Sequence, residues 1–341
     1  MTEADAVAAV LWVGVTLYAI FGGADFGAGF WALLAGRGER GREARSLITW
    51  AIGPVWESNH VWLIFVLVVL WTAFSEAFAS ITSTLFIPLS LAAFGIVLRG
   101  SGFAFKELAP RIGGRRASGY AFGVSSVLTP FFMGTVVGAV ASGRVPVGNA
   151  AGDAVTSWLN PLSLLIGVLF VATGAYLSAV FLIHEARRFG DFALERYFAV
   201  RAYAAAIVAG AVALAGVFAL HDDAHYIYNR LTHQALPLMI LSGVCGLGAF
   251  ALIARGAGRG TRVLAAGAVV GVIWGWGVGQ FPYLLPTQLT ISAGAAPSAT
   301  LTAVLVVFGA AVLLVIPAIV LLYTLTQRSM LVEEETEGHG A

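Results

Sequence analysis

Charged side chains are scarce in this chain of 341 residues. Only 11% of the residues are charged, 59% are hydrophobic, and the mean hydropathy is +0.88. A soluble domain carries about 25% charged residues, so this composition predicts lipid as the solvent. The net charge is +1, whereas a nucleic-acid partner calls for a basic stripe. We therefore expect a membrane protein with no nucleic-acid partner.

Cysteine is almost absent. The single cysteine, Cys245, excludes an internal disulfide and any cysteine-based zinc or iron–sulfur site. The first residues also lack the basic stretch, short apolar core and cleavage site of a signal peptide. We therefore expect the first apolar run to remain as a spanning helix.

Long apolar runs predict an all-α, polytopic membrane protein that forms a single integral membrane domain over 1–341. A spanning helix needs roughly 20 mostly apolar residues. Nine such runs lie near 8–33, 53–74, 78–98, 120–142, 158–183, 202–220, 236–254, 262–280 and 300–326. We expect two four-helix bundles plus one peripheral helix, although no residue-level repeat supports that division.

Basic residues are distributed unevenly between the loops. Of the 19 lysines and arginines, only Arg144 and Arg230 fall on one side of the predicted membrane. Cytoplasmic loops carry an excess of such residues, so the N-terminus is predicted outside and the C-terminus in the cytoplasm, with an acidic tail over 329–341. The outer segment 281–299 is apolar and uncharged, and we expect it to lie on the membrane or against a partner.

Three ionisable residues fall inside predicted spans: Asp25, Glu57 and His60. Such groups cost at least ~2.5 kcal/mol at a helix centre and usually face the protein interior for a functional reason. At about 1.5 Å per residue, all three lie in the inner half of the bilayer. Gly23 and Gly27 flank Asp25 and permit close approach of another helix.

Such a cluster can pass protons from the cytoplasm, because each group can bind and release one. Other interpretations stay open at this point. Asp25 can pair with an arginine or cap a backbone break, and His60 can be a packing residue. Pro54 suits the first turn of the second span, and Trp56 lies on the same helix side as Glu57 and His60.

Other polar residues are weaker candidates for a functional site. Arg99, with Lys106 and Glu107, is interpreted as a surface cluster for lipid head groups or a partner loop. His184 and Glu185 are interpreted as interfacial. The HDDAH sequence at 221–225 has a spacing that can hold a metal, but exposed loop polarity is the favoured interpretation. The sequence shows no pair of buried histidines on facing helices that could bind a haem. We therefore predict neither a haem nor a metal site in this chain.

Three stretches together resemble subunit II of cytochrome bd-type quinol oxidases. They are GGADFGAGF, IGPVWESNHVWLIFVLVVLWTAFSEAF and LFIPLSLAAFGIVLRGSGFAF, and the segment FPYLLPTQLTISAGAAP is similar to that family too. The resemblance covers essentially the whole chain. Long patterns that contain polar residues are improbable in an arbitrary membrane helix, so the match is specific.

The resemblance implies a heterodimer in a prokaryotic cytoplasmic membrane during aerobic respiration. A homologous subunit I would carry haems b and d, quinol would be oxidised, and oxygen would be reduced to water. This chain would scaffold subunit I, bind membrane lipids, and contribute proton uptake through Glu57, with Asp25 as the acid of the first motif. It would have no catalytic residue of its own and would be inactive alone.

The resemblance also assigns a supporting motif around these acids, formed by Trp56, Asn59, Gly23, Gly27, Pro54 and Arg99. The family often has Asp at the position of Glu57, and Glu or Gln at that of His60, so the role of His60 is in doubt. The sequence does not determine which quinone is used. It also leaves open whether a structural quinone or lipid binds in this chain and whether a small accessory subunit is present.

Two other functions are compatible with the sequence. A proton-coupled secondary transporter would show broken helices near the midplane in two repeats, and Gly22 and Gly23 suggest one such break. A purely structural assembly subunit would use the acids only for packing. Replacement of Glu57 by Gln distinguishes these functions.

Overall fold

The computed structural model describes residues 2–112, 115–256, 258 and 260–327, but not the side chains of 52–58, 103–112, 115–118, 315–316 and 318–327. Glu57, Trp56 and Pro54 therefore lie outside the described side chains, as do Lys106 and Glu107. The predicted acidic tail over 329–341 lies outside the described residues.

The described chain is almost entirely helical. The helices are α1 Glu3–Leu34, α2 Glu39–Ala73, α3 Ser75–Thr84, α4 Phe86–Ile112, α5 Arg115–Ala141, α6 Pro161–Arg188, α7 Phe192–Asp223, α8 His225–Thr232, α9 Leu236–Ala254, α10 Thr261–Gln280 and α11 Ser298–Gln327. Two short antiparallel strands, β1 Tyr283–Leu285 and β2 Leu289–Thr290, form a hairpin between α10 and α11.

Among the described residues, six helices are long and apolar enough to cross a membrane, or seven if a bent pair counts as one span. Two shorter apolar stretches lie at 86–102 and 298–314. A polytopic all-α membrane protein is thus confirmed. The count of nine spans and the division into two four-helix bundles stay predictions.

Several helix boundaries differ from the hydropathy runs. α2 begins at Glu39, well before the apolar run at 53–74, and the run at 78–98 is divided between α3 and α4. The chain bends by 118° between the α2 segment and α3. A helix can continue beyond its apolar part through polar turns, and those turns do not raise the hydropathy. Hydropathy therefore locates the apolar part of a helix and not its ends.

α1 is continuous from Glu3 to Leu34, so the break suggested at Gly22 and Gly23 is wrong. Glycine lowers helix propensity by only about 1 kcal/mol, and packing easily offsets that cost. Here the glycines of α1 allow contact with other helices. The indole Nε1 of Trp31 donates to the carbonyl of Ala175 on α6 at 2.8 Å.

We call the end of the bundle at which α1 and α6 finish the basic end, and the other the hairpin end. A buried apolar cluster at the basic end joins α1, α2, α6, α7, α9 and α10. A second cluster at the hairpin end contains Leu285, Leu289 and Ile291 from the hairpin segment. The expectation that 281–299 lies on the membrane or against a partner is therefore wrong for these residues, which are buried against the chain's own helices.

Candidate functional site

A buried polar network lies where α1, α2, α4 and α5 meet. α1 supplies Asp25, α2 supplies Asn59, α4 supplies Arg99 and α5 supplies Ser126, and all four are at most 1% exposed. Four helices thus direct polar side chains to one point in an otherwise apolar interior. Such a group is costly in a membrane unless its members satisfy one another.

The centre of the network is an ion pair between Asp25 and Arg99. A guanidinium Nη2 of Arg99 lies 2.5 Å from the Asp25 carboxylate, and both side chains are fully buried. The same nitrogen donates to the backbone carbonyl of Asp25 at 3.0 Å. Arginine keeps its charge in proteins, so the carboxylate compensates a cation that hydrocarbon would otherwise reject.

Aromatic rings and a hydroxyl complete the surroundings of Arg99. Its guanidinium carbon lies 4.2 Å from the ring centre of Phe122 and 4.9 Å from that of Phe26. Its Nη1 also donates to the Ser126 hydroxyl. The interpretation of Arg99 as part of a surface cluster is therefore wrong. α4 continues to Ile112, so Arg99 lies within the helix and not after it.

Asn59 connects α2 to the ion pair. Its Nδ2 donates to the second carboxylate oxygen of Asp25 at 3.3 Å. Its amide oxygen is buried without a hydrogen-bond partner in the described part of the chain. A buried unpaired polar atom costs about 1–3 kcal/mol, so this amide is held there by its contact with Asp25 and by packing.

Glycines explain how α1 reaches both α5 and α6. A Cβ at Gly27 would lie 1.9 Å from the carbonyl oxygen of Gly174 on α6, and one at Gly29 would lie 2.0 Å from the Ser126 hydroxyl. At Gly23, a Cβ would lie 3.2 Å from Leu177. Small residues that let membrane helices approach closely are typical of such interfaces.

The structure thus brings together Asp25, Asn59 and Arg99 from the predicted set, whereas Gly23 and Gly27 face α6. His60 follows Asn59 on α2 and is half-buried. Of the alternatives for Asp25, pairing with an arginine is the one that the structure shows. The roles of Asp25, Glu57 and His60 in proton transfer stay predictions.

Sequence reasoning missed Ser126 and the two rings beside Arg99. The pair Ser125 and Ser126 is a polar interruption in the apolar run at 120–142, and that interruption was the available signal. Phe122 and Phe26 gave no signal, because phenylalanine is common on every face of a membrane helix.

The remaining polar candidates do not converge on a metal. His221 Nδ1 lies 2.9 Å from an oxygen of its neighbour Asp222, and Asp223 pairs with Arg144 at 3.7 Å. The described residues contain no group of three histidines, cysteines or acids arranged to hold a metal ion. At the basic end, Glu185 lies 4.0 Å from Arg188.

Two sulfur-bearing side chains, Cys245 and Met239, lie next to glycines of α10. A Cβ at Gly267 would lie 3.2 Å from the Cys245 sulfur, and one at Gly275 would lie 2.7 Å from the Met239 sulfur. Both side chains are partly exposed and face the contact between α9 and α10. That this chain ligates no haem stays a prediction.

Comparisons with known proteins give a consistent result. A family model described as cytochrome bd terminal oxidase subunit II matches residues 4–326. A putative cytochrome bd menaquinol oxidase subunit II of Bacillus subtilis is 23% identical over 93% of each chain. The cytochrome bd-I ubiquinol oxidase subunit 2 of Escherichia coli K12 is 28% identical over 66% of this chain and 60% of that protein.

A solved structure is similar over nearly the full length. It is the bd oxidase from Geobacillus thermodenitrificans, with a TM-score of 0.77 and 27% identity over 96% of this chain and 99% of the matched chain. The similarity therefore extends beyond the motifs around Asp25 to the arrangement of the whole bundle.

Proposed function

Because the chain belongs to the family of subunit II of cytochrome bd terminal oxidases, we propose that it holds a haem-bearing subunit I and helps protons enter from the cytoplasm. Its role in a membrane quinol oxidase follows from the family. Haems b and d would be bound by subunit I, so the active complex would be a heterodimer of the two chains.

The relatives leave the quinol unassigned. The Bacillus subtilis relative is described as a menaquinol oxidase subunit and the Escherichia coli relative as a ubiquinol oxidase subunit. Both belong to the same class of substrate. We propose a membrane quinol without choosing between them.

The two acids of the first two helices, Asp25 and Glu57, receive different roles. Oxygen reduction to water consumes protons, and a carrier must bind and release one at small free-energy cost. Among the described residues, Asp25 is the one carboxylate within 4.0 Å of the buried Arg99 guanidinium, so Arg99 depends on it for compensation of its charge. We therefore assign Asp25 the anchoring of α1 to α4 through this ion pair, and not the role of carrier.

Glu57 is the acid assigned to proton transfer. It lies on α2, two residues before Asn59, the residue through which α2 contacts the Asp25–Arg99 pair. The network would thereby fix α2 against α1 and α4 next to the proton-transfer residue. The observation that carries the proposal is the buried pair itself, which supplies a rigid, charge-compensated support in a lipid environment.

Replacement of Glu57 by Gln in the complete complex tests this function. We expect quinol-dependent oxygen uptake to fall at least tenfold while the haem content per complex is retained. The matched control is Glu76→Gln, the same change at an exposed acid on α3. Loss of the haems in Glu57→Gln would support a purely structural subunit. Unchanged oxygen uptake would contradict the proton role and leave transport open.

The continuous α1 favours the oxidase subunit over a secondary transporter. Transporter sites are typically built from helices broken near the midplane. In the described residues, the bent helix pair lies at the α2–α3 junction, close to Phe74 at the hairpin end. That position is far from Asp25 along the chain and along the bundle.

A further inference from the structure

One face of α1 receives the side chain of Asn59 from α2. Gly22 follows Tyr18 by four residues and precedes Asp25 by three, so these three residues share that face of the helix. A Cβ at Gly22 would lie 2.9 Å from the Asn59 amide oxygen and 3.4 Å from its Nδ2. Both polar atoms of the amide therefore lie against the bare backbone of Gly22.

This contact leaves no room for a larger residue at position 22. Non-bonded contacts of carbon are most favourable at about 3.5–4.0 Å, so a methyl group at Gly22 would overlap the amide. The ring of Tyr18 would lie 3.3 Å from the same methyl group. Rotation of the amide away from Gly22 would break its hydrogen bond to Asp25. A methyl group must therefore displace α2 or break that hydrogen bond.

The position of the Asn59 amide depends strongly on this steric fit. Asn59 is fully buried, and its amide oxygen has no hydrogen-bond partner among the described residues. Its Nδ2 donates to the Asp25 carboxylate at 3.3 Å, which is a long hydrogen bond. One long hydrogen bond leaves the amide free to shift, so contact with Gly22 is needed to define where it lies.

Glu57 precedes Asn59 by two residues in the same helix, a rise of about 3 Å. A displacement of Asn59 along α1 therefore moves the backbone at Glu57 as well. We propose that Gly22 is a positioning residue for proton transfer. By admitting the Asn59 amide against α1, it sets the depth of the α2 segment that carries Glu57. This inference rests on the proposed function of Glu57, and it gives a reason for a glycine inside a continuous helix.

Gly22→Ala in the complete oxidase complex tests the inference. Quinol-dependent turnover and its solvent deuterium isotope effect are measured at equal haem content. We expect turnover to fall at least about fivefold with the KM for quinol unchanged, because a sub-ångström displacement of a reacting group is costly. The isotope effect should rise, because proton transfer becomes more strongly rate-limiting. A lower yield of intact complex would not change the isotope effect. Parental turnover with a parental isotope effect would overturn the inference.

A double-mutant cycle with Asn59→Ala locates the effect. Asn59→Ala removes the amide that the methyl group would displace, so it should itself lower turnover. Gly22→Ala should then add less than about twofold to that loss. Losses that multiply in the double variant would place the effect of the methyl group elsewhere and overturn the inference. If Gly22→Ala does not assemble, Asn59→Ala alone decides, and a parental isotope effect in it would overturn the inference.

The matched control is Gly216→Ala on α7. Gly216 is also buried, but a Cβ there would lie 3.9 Å from Ile166, which is an ordinary contact. We expect its turnover and isotope effect to equal those of the parent. Glu57→Gln separates the two levels of the argument. Unchanged turnover in Glu57→Gln would contradict the proposed function, whereas loss in Glu57→Gln without loss in Gly22→Ala would overturn this inference alone.

Discussion

Arg99 and Asp25 are 74 positions apart in the chain, yet the guanidinium of one lies 2.5 Å from the carboxylate of the other with both side chains fully buried. This contact joins α4 to α1 in the interior of the bundle. The Asn59 amide and the Ser126 hydroxyl join α2 and α5 to the same point. The network is therefore a structural junction of four helices.

Removal of one partner of this pair should destabilise the protein strongly. Asp25→Asn or Arg99→Gln leaves a buried charge without compensation, which costs about 3–5 kcal/mol. The double variant Asp25→Asn with Arg99→Gln removes both charges, and we expect it to recover a large part of that loss. The unfolding temperature of each of the three variant complexes is measured by monitoring the loss of haem absorbance on heating.

The control for this cycle is Arg188→Gln, because the Arg188 side chain is 68% exposed and lies 4.0 Å from Glu185. Exposed ion pairs contribute about 0–1 kcal/mol, so its unfolding temperature should hardly change. If the loss of stability in the double variant equals the sum of the losses in the two single variants, the two residues do not act as a pair.

The contact of α1 with α6 should depend on the absence of a side chain at Gly27. Gly27→Val places a Cβ 1.9 Å from a backbone oxygen of Gly174, which cannot rotate away. We expect little assembled complex in membranes, measured by haem content and by the yield of the purified heterodimer. Gly210→Val on α7 is the control, because a Cβ there meets nothing within 4 Å. Normal assembly of Gly27→Val would show that the two helices separate at low cost.

The predicted orientation can be measured with single cysteines in a Cys245→Ser background. Asn149→Cys lies in the exposed segment between α5 and α6, and Arg188→Cys lies at the basic end. In intact cells, a membrane-impermeant thiol reagent should label Asn149→Cys only. Arg188→Cys should react after the membrane is opened. The reverse pattern would contradict the outside placement of the N-terminus.

The sequence was sufficient for the class of fold and for part of the site. Apolar runs identify spanning helices because lipid imposes their length, and Asp25 is conspicuous because hydrocarbon rejects a carboxylate. Asn59, Gly23 and Gly27 were also identified, through the motifs around the acids. Pairing of Asp25 with an arginine was one alternative and Arg99 belonged to the motif that the resemblance implies, but no sequence pattern joined the two residues.

Arg99 was misplaced for a physical reason. It follows directly after the apolar run at 78–98, and an arginine at the end of a span ordinarily extends to the interface. Whether such a side chain points to water or into the bundle depends on which helices surround it. Ser126 and Phe122 come from α5, and no local pattern reports that contact. The burial of Leu285 and Leu289 in the hairpin was missed for the same reason.

Asp25 is proposed as the anchoring partner of Arg99 and Glu57 as the proton carrier, and quinol-dependent oxygen uptake by the purified complex tests this division most directly. The double variant Asp25→Asn with Arg99→Gln and the single variant Glu57→Gln are compared by turnover at equal haem content. We expect turnover within about threefold of the parent for the double variant and a loss of at least about tenfold for Glu57→Gln. Loss of turnover in the double variant, with Glu57→Gln unaffected, would contradict this division.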